Sequence, residues 1–264
     1  MAVPKVAAIH DLSGLGKCSL TAAIPILSVC GVQAVPLATA VLSNQTSFEH
    51  YVGVDLSEHL PMIADQWQRM DLRLDGIFTG YLSGVQQVEW VSGFLDRFRR
   101  ENTLVLVDPV LGENGEYYRG FDEEMRCAMR GLCRQADIIT PNLTEALMLL
   151  GKDARQQNLS PETAKEYARE LAELGPKTVI ITGIGQGETV WNVGDANFWL
   201  ETGESEEDIP EPEIFYPRWS AGAWSAVRAP TPHWNGRHGC WRPRLQRLWR
   251  TAPTQTRGLP LSIT

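Results

Sequence analysis

Long apolar runs are missing from this chain: nowhere in its 264 residues is there anything near the roughly 18 uncharged apolar residues that a membrane span needs. The N-terminus lacks the basic start and small-residue cleavage site of a secretory signal. Cysteine is scarce and badly spaced for cross-linking. Its five cysteines (Cys18, Cys30, Cys127, Cys133 and Cys240) are odd in number and form no Cys-x-x-Cys pair. That argues against a disulfide framework or a zinc site and fits a reducing cytosol. Positive charge is also in deficit, with 24 Lys and Arg against 32 Asp and Glu and a net charge of −8, so nucleic acid is not an expected partner. With 43% hydrophobic and 21% charged residues, disordered, collagen-like and coiled-coil classes fall away. What remains is a soluble cytoplasmic protein, near the upper size for one core, with no membrane partner.

A sharper absence lies near one end. From Arg218 to Thr264 there is no Asp, Glu or Lys, but there are eight Arg, five Pro and five of the nine Trp. All 32 acidic residues and 16 of the 24 basic ones therefore lie in the first 217 residues. Neither alternation nor a helical stripe runs through the last 47 residues. Two domains are expected on this ground, a folded unit over 1–217 and an aberrant Arg/Trp/Pro-rich tail over 218–264.

In the first unit, apolar strands alternate with helices. Strands are predicted at Val3–Ile9, Gln33–Ala38, Asp75–Thr79, Thr103–Val107, Asp137–Thr140 and Thr178–Ile181, with a Ser/Gly loop over Ser13–Gly16. Helices are predicted at Ser19–Cys30, Val85–Arg99, Leu143–Leu150 and Pro161–Leu174, and an antiparallel pair over Glu188–Trp199 turned at Gly194-Asp195. Repeated βα units imply an α/β fold, a mainly parallel sheet with helices on both faces. Ligands of such sheets bind beyond the C-terminal strand ends. The polar residues ending apolar strands here are His10-Asp11, Gly80-Tyr81, Asp108, Asn142 and Thr182-Gly183.

Several of these admit a plain structural reading. Asn142 with Glu145 three residues on is a capping box on residues alone, although a helix N-terminus with an amide and a carboxylate can also hold phosphate and Mg²⁺. Gly183, Gly185 and Gly187 read as a hairpin turn before they read as a nucleotide contact. Gly16-Lys17-Cys18 is no P-loop, because Asp11 stands where the first glycine belongs and Cys18 where Ser or Thr belongs. Cys18 near His10 lacks a third catalytic group, Asn142-Leu143-Thr144 is an idle sequon in a cytosolic chain, and the acidic run Glu201–Glu213 reads as a solvated loop.

Taken in order, these strand ends resemble the ribokinase-like superfamily and, within it, the pyridoxal (pyridoxine, pyridoxamine) kinases, with hydroxymethylpyrimidine kinases next. The resemblance rests on Ala8–Gly16, Ala34–Thr46, Thr79–Gly84, Val107–Gly112, Thr140–Glu145 and Val179–Gly183, six short stretches spread over about 180 residues. It implies ATP and Mg²⁺ as cofactors and phosphorylation of a vitamer's hydroxymethyl group, in vitamin B6 salvage. It implies that His10, Asp11, Ser13, Thr46 and Tyr81 line the vitamer site. Asp108, Asn142, Glu145, Thr182 and Gly183 match the ATP side, with Asp108, Glu113 and Glu145 toward the metal. Relatives of this kind are commonly homodimers.

One family motif is absent. A Gly-Thr-Gly-Asp at a helix start, which supplies an anion hole and the base for the substrate hydroxyl, belongs near residues 216–225. Tyr216-Pro-Arg-Trp-Ser-Ala-Gly-Ala-Trp-Ser225 stands there instead, where the composition breaks. No catalytic base is therefore assigned. An out-of-frame translation from about residue 217 accounts for such Arg, Trp and Pro, better than a basic tail that binds an acidic partner. The expectation is a vitamer kinase impaired as it stands; the alternatives are a hydroxymethylpyrimidine kinase, a binding-only pseudoenzyme, and a tail-driven interaction protein.

Overall fold

The computed structural model describes residues 3–202, apart from residue 47 and residues 157–158, 187–188 and 195–198. The tail over 218–264, the stretch 216–225 and the acidic run beyond residue 202 lie outside the described residues, as do Gly187 and the turn at Asp195. In chain order the elements are β1 (Lys5–Leu15), α1 (Ser19–Val29), β2 (Gln33–Asn44), β3 (Gly53–Asp55), α2 (Leu60–Arg69), β4 (Gly76–Thr79), α3 (Val85–Phe98), β5 (Leu104–Val107), β6 (Gly112–Glu113), β7 (Glu116–Tyr117), α4 (Glu123–Cys133), β8 (Ile138–Ile139), α5 (Leu143–Leu150), α6 (Pro161–Ala172), β9 (Thr178–Gln186), β10 (Thr189–Gly194) and β11 (Trp199–Thr202).

All but β6 and β7 join one sheet in the order β11-β10-β9-β8-β5-β4-β1-β2-β3. From β2 to β9 its neighbours run parallel, and β3, β10 and β11 add antiparallel edges. The α/β expectation is met. Helices cover both faces, which is why the central strands read as continuous apolar runs instead of alternating ones. Ala7, Ile9, Ile77, Val105, Val107 and Val179 pack with α2 to α6 on one face, and Val6, Ala8, Phe78 and Leu106 pack with α1 on the other.

Three sequence readings need correction. Ser13–Gly16 is not a loop: β1 runs on to Leu15, and β2 runs on from Ala38 to Asn44. The two pair from Leu12↔Val41 to Leu15↔Asn44 beyond a register break at His10/Leu12, so partner strands override the weak strand preference of Ser and Gly. Second, β9 continues through Gly183 to Gln186 and forms a hairpin with β10. Third, α2 and α4 were not anticipated. The α4 start is nonetheless marked in the sequence, because Asp122 caps it by accepting from the N–H groups of Glu124 (3.0 Å) and Met125 (3.1 Å).

The core around α3 is aromatic. Phe94, 1% exposed, stacks on Phe98 at 4.3 Å between centroids and also meets Trp90 and Trp67. Phe94→Ala is expected to lower unfolding free energy by about 3–5 kcal/mol, read from the urea midpoint.

Strand order reverses at β1, which lies between β2 and β4 although β2 follows it in the chain. Such a reversal leaves a crevice beyond the strand ends, and His10 and Tyr81 stand on either side of it.

Candidate active site

At the reversal, the end of β1 is built around a buried carboxylate. Asp11, 2% exposed, accepts from Ser13 Oγ at 2.7 Å and lies 2.8 Å from His10 Nδ1. Burial alone would raise its pKa, but the contacts to His10, Ser19 and Ser13 outweigh it and hold the carboxyl below the usual range. The His10 ring crosses to the end of β4, where the Tyr81 N–H donates to it at 3.2 Å. Gly80 is small by necessity here. A Cβ at residue 80 would lie 1.9 Å from His10 Cδ2 and 2.0 Å from Nε2. Gly80→Ala is expected to cost about 1–3 kcal/mol through the displaced ring, read as a lowered melting temperature.

Tyr81 itself is held on three sides. Its carbonyl accepts from Thr39 Oγ1 at 3.0 Å, its N–H meets His10, and its ring stacks on Phe121 at 5.8 Å and 20°. Burial, followed by the charges of Tyr51, Asp11 and Asp55, pushes its phenol up to about 12, so it stays a donor at neutral pH. Thr46 is exposed in the turn beyond β2, on the connection to β3.

Two strands along, a second polar group forms. Asp108 follows β5; its N–H donates to the Thr79 carbonyl (2.9 Å) and its Oδ1 accepts from Thr140 Oγ1 (3.2 Å). Burial raises its pKa to about 6, against the pull of His10 and Thr140. Glu145, 4% exposed, accepts the Leu111 N–H on Oε1 (3.2 Å) and the Asn142 N–H on Oε2 (2.8 Å). Asn142 Oδ1 in turn accepts from the Glu145 N–H at 2.9 Å, so the capping box of the plain reading is formed. Asn142 Nδ2 also donates to the Gly112 carbonyl (2.9 Å), tying α5 to β6. Burial, then the charges of Asp108 and Glu113, drives the Glu145 carboxyl well above its ordinary value, although its backbone N–H partners oppose this.

Asp108, Glu113 and Glu145 thus come together electrostatically, around a residue the sequence reading missed. The Tyr118 hydroxyl approaches Glu113 Oε2 at 3.5 Å, and burial and all three carboxylates raise its pKa. No spacing marked Tyr118, because it reaches the group from a turn beyond β7. Hard oxygen donors that repel one another fit a divalent cation. Among the described residues, however, no three acidic, His or Cys side chains are arranged to ligate one directly. The donor set therefore suits a hydrated ion, held partly through water.

Thr182 and Gly183 lie on β9 beside this group. Thr182 bridges in parallel to Asn142, and its N–H donates to the Pro141 carbonyl at 2.9 Å. Gly183 takes a left-handed φ of 71°. The pairing to β10 is irregular at this point, where Ile181 meets Val193 and Ile184 meets Trp191. The sequence-predicted residues therefore fall into a β1/β4 group and a β5/α5/β9 group, with Thr46 on the flap between β2 and β3.

Comparison with known proteins gives the chain's family. A family model described as phosphomethylpyrimidine kinase matches residues 19–214, ending just before the composition breaks. A pyridoxal kinase PdxY of Actinobacillus succinogenes is 31% identical over 164 residues, 60% of this chain and 56% of its own length. The chain thus spans little more than half of that relative. A structure from Bacteroides thetaiotaomicron, described as a phosphomethylpyrimidine kinase with pyridoxal, is 43% identical with a TM-score of 0.70, over 74% of this chain and 70% of that one. A pyridoxal kinase of Leishmania donovani in complex with ADP and pyridoxine is 25% identical with a TM-score of 0.64, over 71% and 65% of the two chains.

Proposed function

We propose that this chain, which belongs to the phosphomethylpyrimidine kinase family, is built to bind a B6 vitamer and ATP and to phosphorylate the vitamer's hydroxymethyl group, with transfer slowed by the sequence at 216–225. The observation that carries the reading is the pairing of two polar groups along one sheet rim: an ionised Asp11 with a protonated Tyr81 at the strand reversal, and three carboxylates beside a helix N-terminus further along. Similarity to structures that hold pyridoxal, and ADP with pyridoxine, supports it.

Each residue's part follows from its state. Asp11, ionised and fixed by Ser13, would accept a hydrogen bond from the ring substituents of the vitamer. The Tyr81 phenol would donate one, and Thr46 would close over the ring from the flap. Backbone N–H groups at the start of α5 would face phosphate oxygens, as helix N-termini do. Thr182 and Gly183 would border the nucleotide where β9 departs from regular pairing. Asp108, Glu113 and Glu145 would hold Mg²⁺, partly through water. When bound, that ion neutralises charge on the transferring phosphate. Phosphoryl transfer otherwise asks for alignment and a base for the alcohol. No residue of 216–225 is acidic, so the family's base has no counterpart at its expected position.

The reading is tested by incubating the chain with ATP, Mg²⁺ and, separately, pyridoxal, pyridoxine, pyridoxamine and hydroxymethylpyrimidine, weighing each product and measuring each vitamer's affinity. Binding of pyridoxal with slow transfer supports it; preference for hydroxymethylpyrimidine replaces the substrate; no binding of any vitamer by folded protein ends it. Homodimerisation, from the same resemblance, is tested by light scattering. The out-of-frame origin of residues from about 217 fails if no alternative frame of the coding sequence reads Gly-Thr-Gly-Asp there. Among the described residues no helix is long and apolar enough to cross a membrane. Cys18, Cys127 and Cys133 are free thiols, which supports the cytoplasmic setting of this reading.

A further inference from the structure

A third polar cluster, outside both groups above, joins the flap to the turn that carries Tyr81. At its centre is Gln87, in the first turn of α3 and only 1% exposed. Its amide nitrogen donates to the Thr39 carbonyl (2.9 Å), Ser57 Oγ (2.9 Å) and Asp55 Oδ2 (3.2 Å), while its Oε1 accepts from the Ser83 N–H at 2.8 Å. Asp55, at the end of β3, accepts on the same oxygen from Ser83 Oγ, and its Oδ1 accepts the Ser57 N–H at 2.8 Å. Four of these contacts span 28 to 48 positions of sequence, and they connect β2, β3 and the β4–α3 turn.

Two features set this cluster apart from ordinary surface bonding. Asp55 is exposed, yet the donors at Ser57 and Ser83 hold its carboxyl below the usual range against the effect of partial burial. Thr39 also belongs to both ends of the chain of contacts: its carbonyl takes the Gln87 amide, and its hydroxyl donates to the Tyr81 carbonyl. A continuous run of hydrogen bonds thus joins β3 to the Tyr81 peptide through Gln87 and Thr39. A buried amide left without its partners is costly, so the cluster favours one arrangement.

We propose that Asp55, acting through Ser83 and Gln87, is a positioning residue: it latches the flap to the Tyr81 turn and so sets affinity for the vitamer but not for the nucleotide. The inference rests on the vitamer reading above. A merely structural Asp55 would instead weaken both ligands together, or neither.

The test uses the full chain with Asp55→Ala, and Asp55→Asn as the conservative variant that keeps an acceptor oxygen. In the ligand-free protein, amide exchange of residues 53–57 and 80–84 is expected to rise together by about tenfold in Asp55→Ala, with β5 unchanged. Its pyridoxal Kd is expected to rise about tenfold while that of a non-hydrolysable ATP analogue stays within about twofold, and Asp55→Asn should restore most of the loss. Gln87→Met, which removes the hub while filling its space, should reproduce the same split. Unchanged exchange at 80–84 in Asp55→Ala overturns the proposal, as does parallel weakening of both ligands. If the unaltered chain binds no pyridoxal, the vitamer reading fails and this inference with it. If it binds pyridoxal and Asp55→Ala binds equally well, only this inference fails.

Discussion

Given ATP, Mg²⁺ and pyridoxal, the chain is expected to form pyridoxal phosphate about 10²–10⁴-fold more slowly than a family member that keeps Gly-Thr-Gly-Asp, because general-base assistance to the alcohol is worth that much. If the anion hole that the motif forms in the family is lost with it, a further factor on the order of 10²–10³ is expected. On the proposed reading binding should suffer less, since the residues assigned to it, Asp11, Ser13 and Tyr81 on one side and Asp108, Asn142 and Glu145 on the other, lie among the described residues. Single-turnover product formation, measured by mass beside a pyridoxal titration, separates the two effects. Replacing residues 217–264 by the corresponding segment of a relative carrying the motif should restore transfer by at least about 10²-fold. Full-speed turnover by the unaltered chain would mean that another group takes the proton.

The second large effect concerns stability, and its sign is unusual. Asp108→Asn is expected to stabilise the protein at pH 7.5 while reducing whatever transfer it supports. Burial holds Asp108 at about 6, and its charge in turn helps drive Glu145 upward. Both folded-state values exceed the ordinary ones, and for Asp108 this means that the folded chain binds more protons than the unfolded chain from about pH 4 to about pH 6. The Asp108 contribution to stability is therefore fully present below about pH 4 and is lost as pH rises through about 6. Asn keeps an acceptor for Thr140 and removes the charge. Its advantage should be small at pH 5, grow toward pH 7.5 and level off at about 1–3 kcal/mol. Denaturant titrations of both forms across that range read it directly; an Asn variant less stable at every pH would refute the repulsion argument. Glu145→Ala points the opposite way. It strips the buried Leu111 N–H and the half-buried Asn142 N–H of their acceptor and breaks the α5 cap, at about 2–4 kcal/mol.

Those carboxylates were legible in the sequence, for a physical reason. A polar residue that ends an apolar run at a parallel strand's C-terminus interrupts the buried pattern at the rim where ligands bind, so Asp108, Asn142 and Thr182 stood out. Asn142 and Glu145 shared two readings, and the structure realises the capping one without removing either group from the rim. The continuation of β1 beyond Asp11 was not legible. Ser13–Gly16 carries residues poor in strand preference, and only pairing with β2 extends it. Nor were Tyr118, Asp55 and Gln87, whose partners lie across turns and distant strands instead of at a helical or strand spacing. Local patterns report on elements; contacts between loops leave no period to read.

Strand order also bears on how the protein is made. Once β1 and β2 have paired, β4 adds at the free edge of β1, and β5, β8 and β9 follow outward in the order of their synthesis. No strand must be threaded between two that are already joined. A nascent chain leaving the ribosome can therefore lay down this sheet by accretion, with one growing edge. That edge is the surface a chaperone would have to shield, and it shifts along the sheet as translation proceeds.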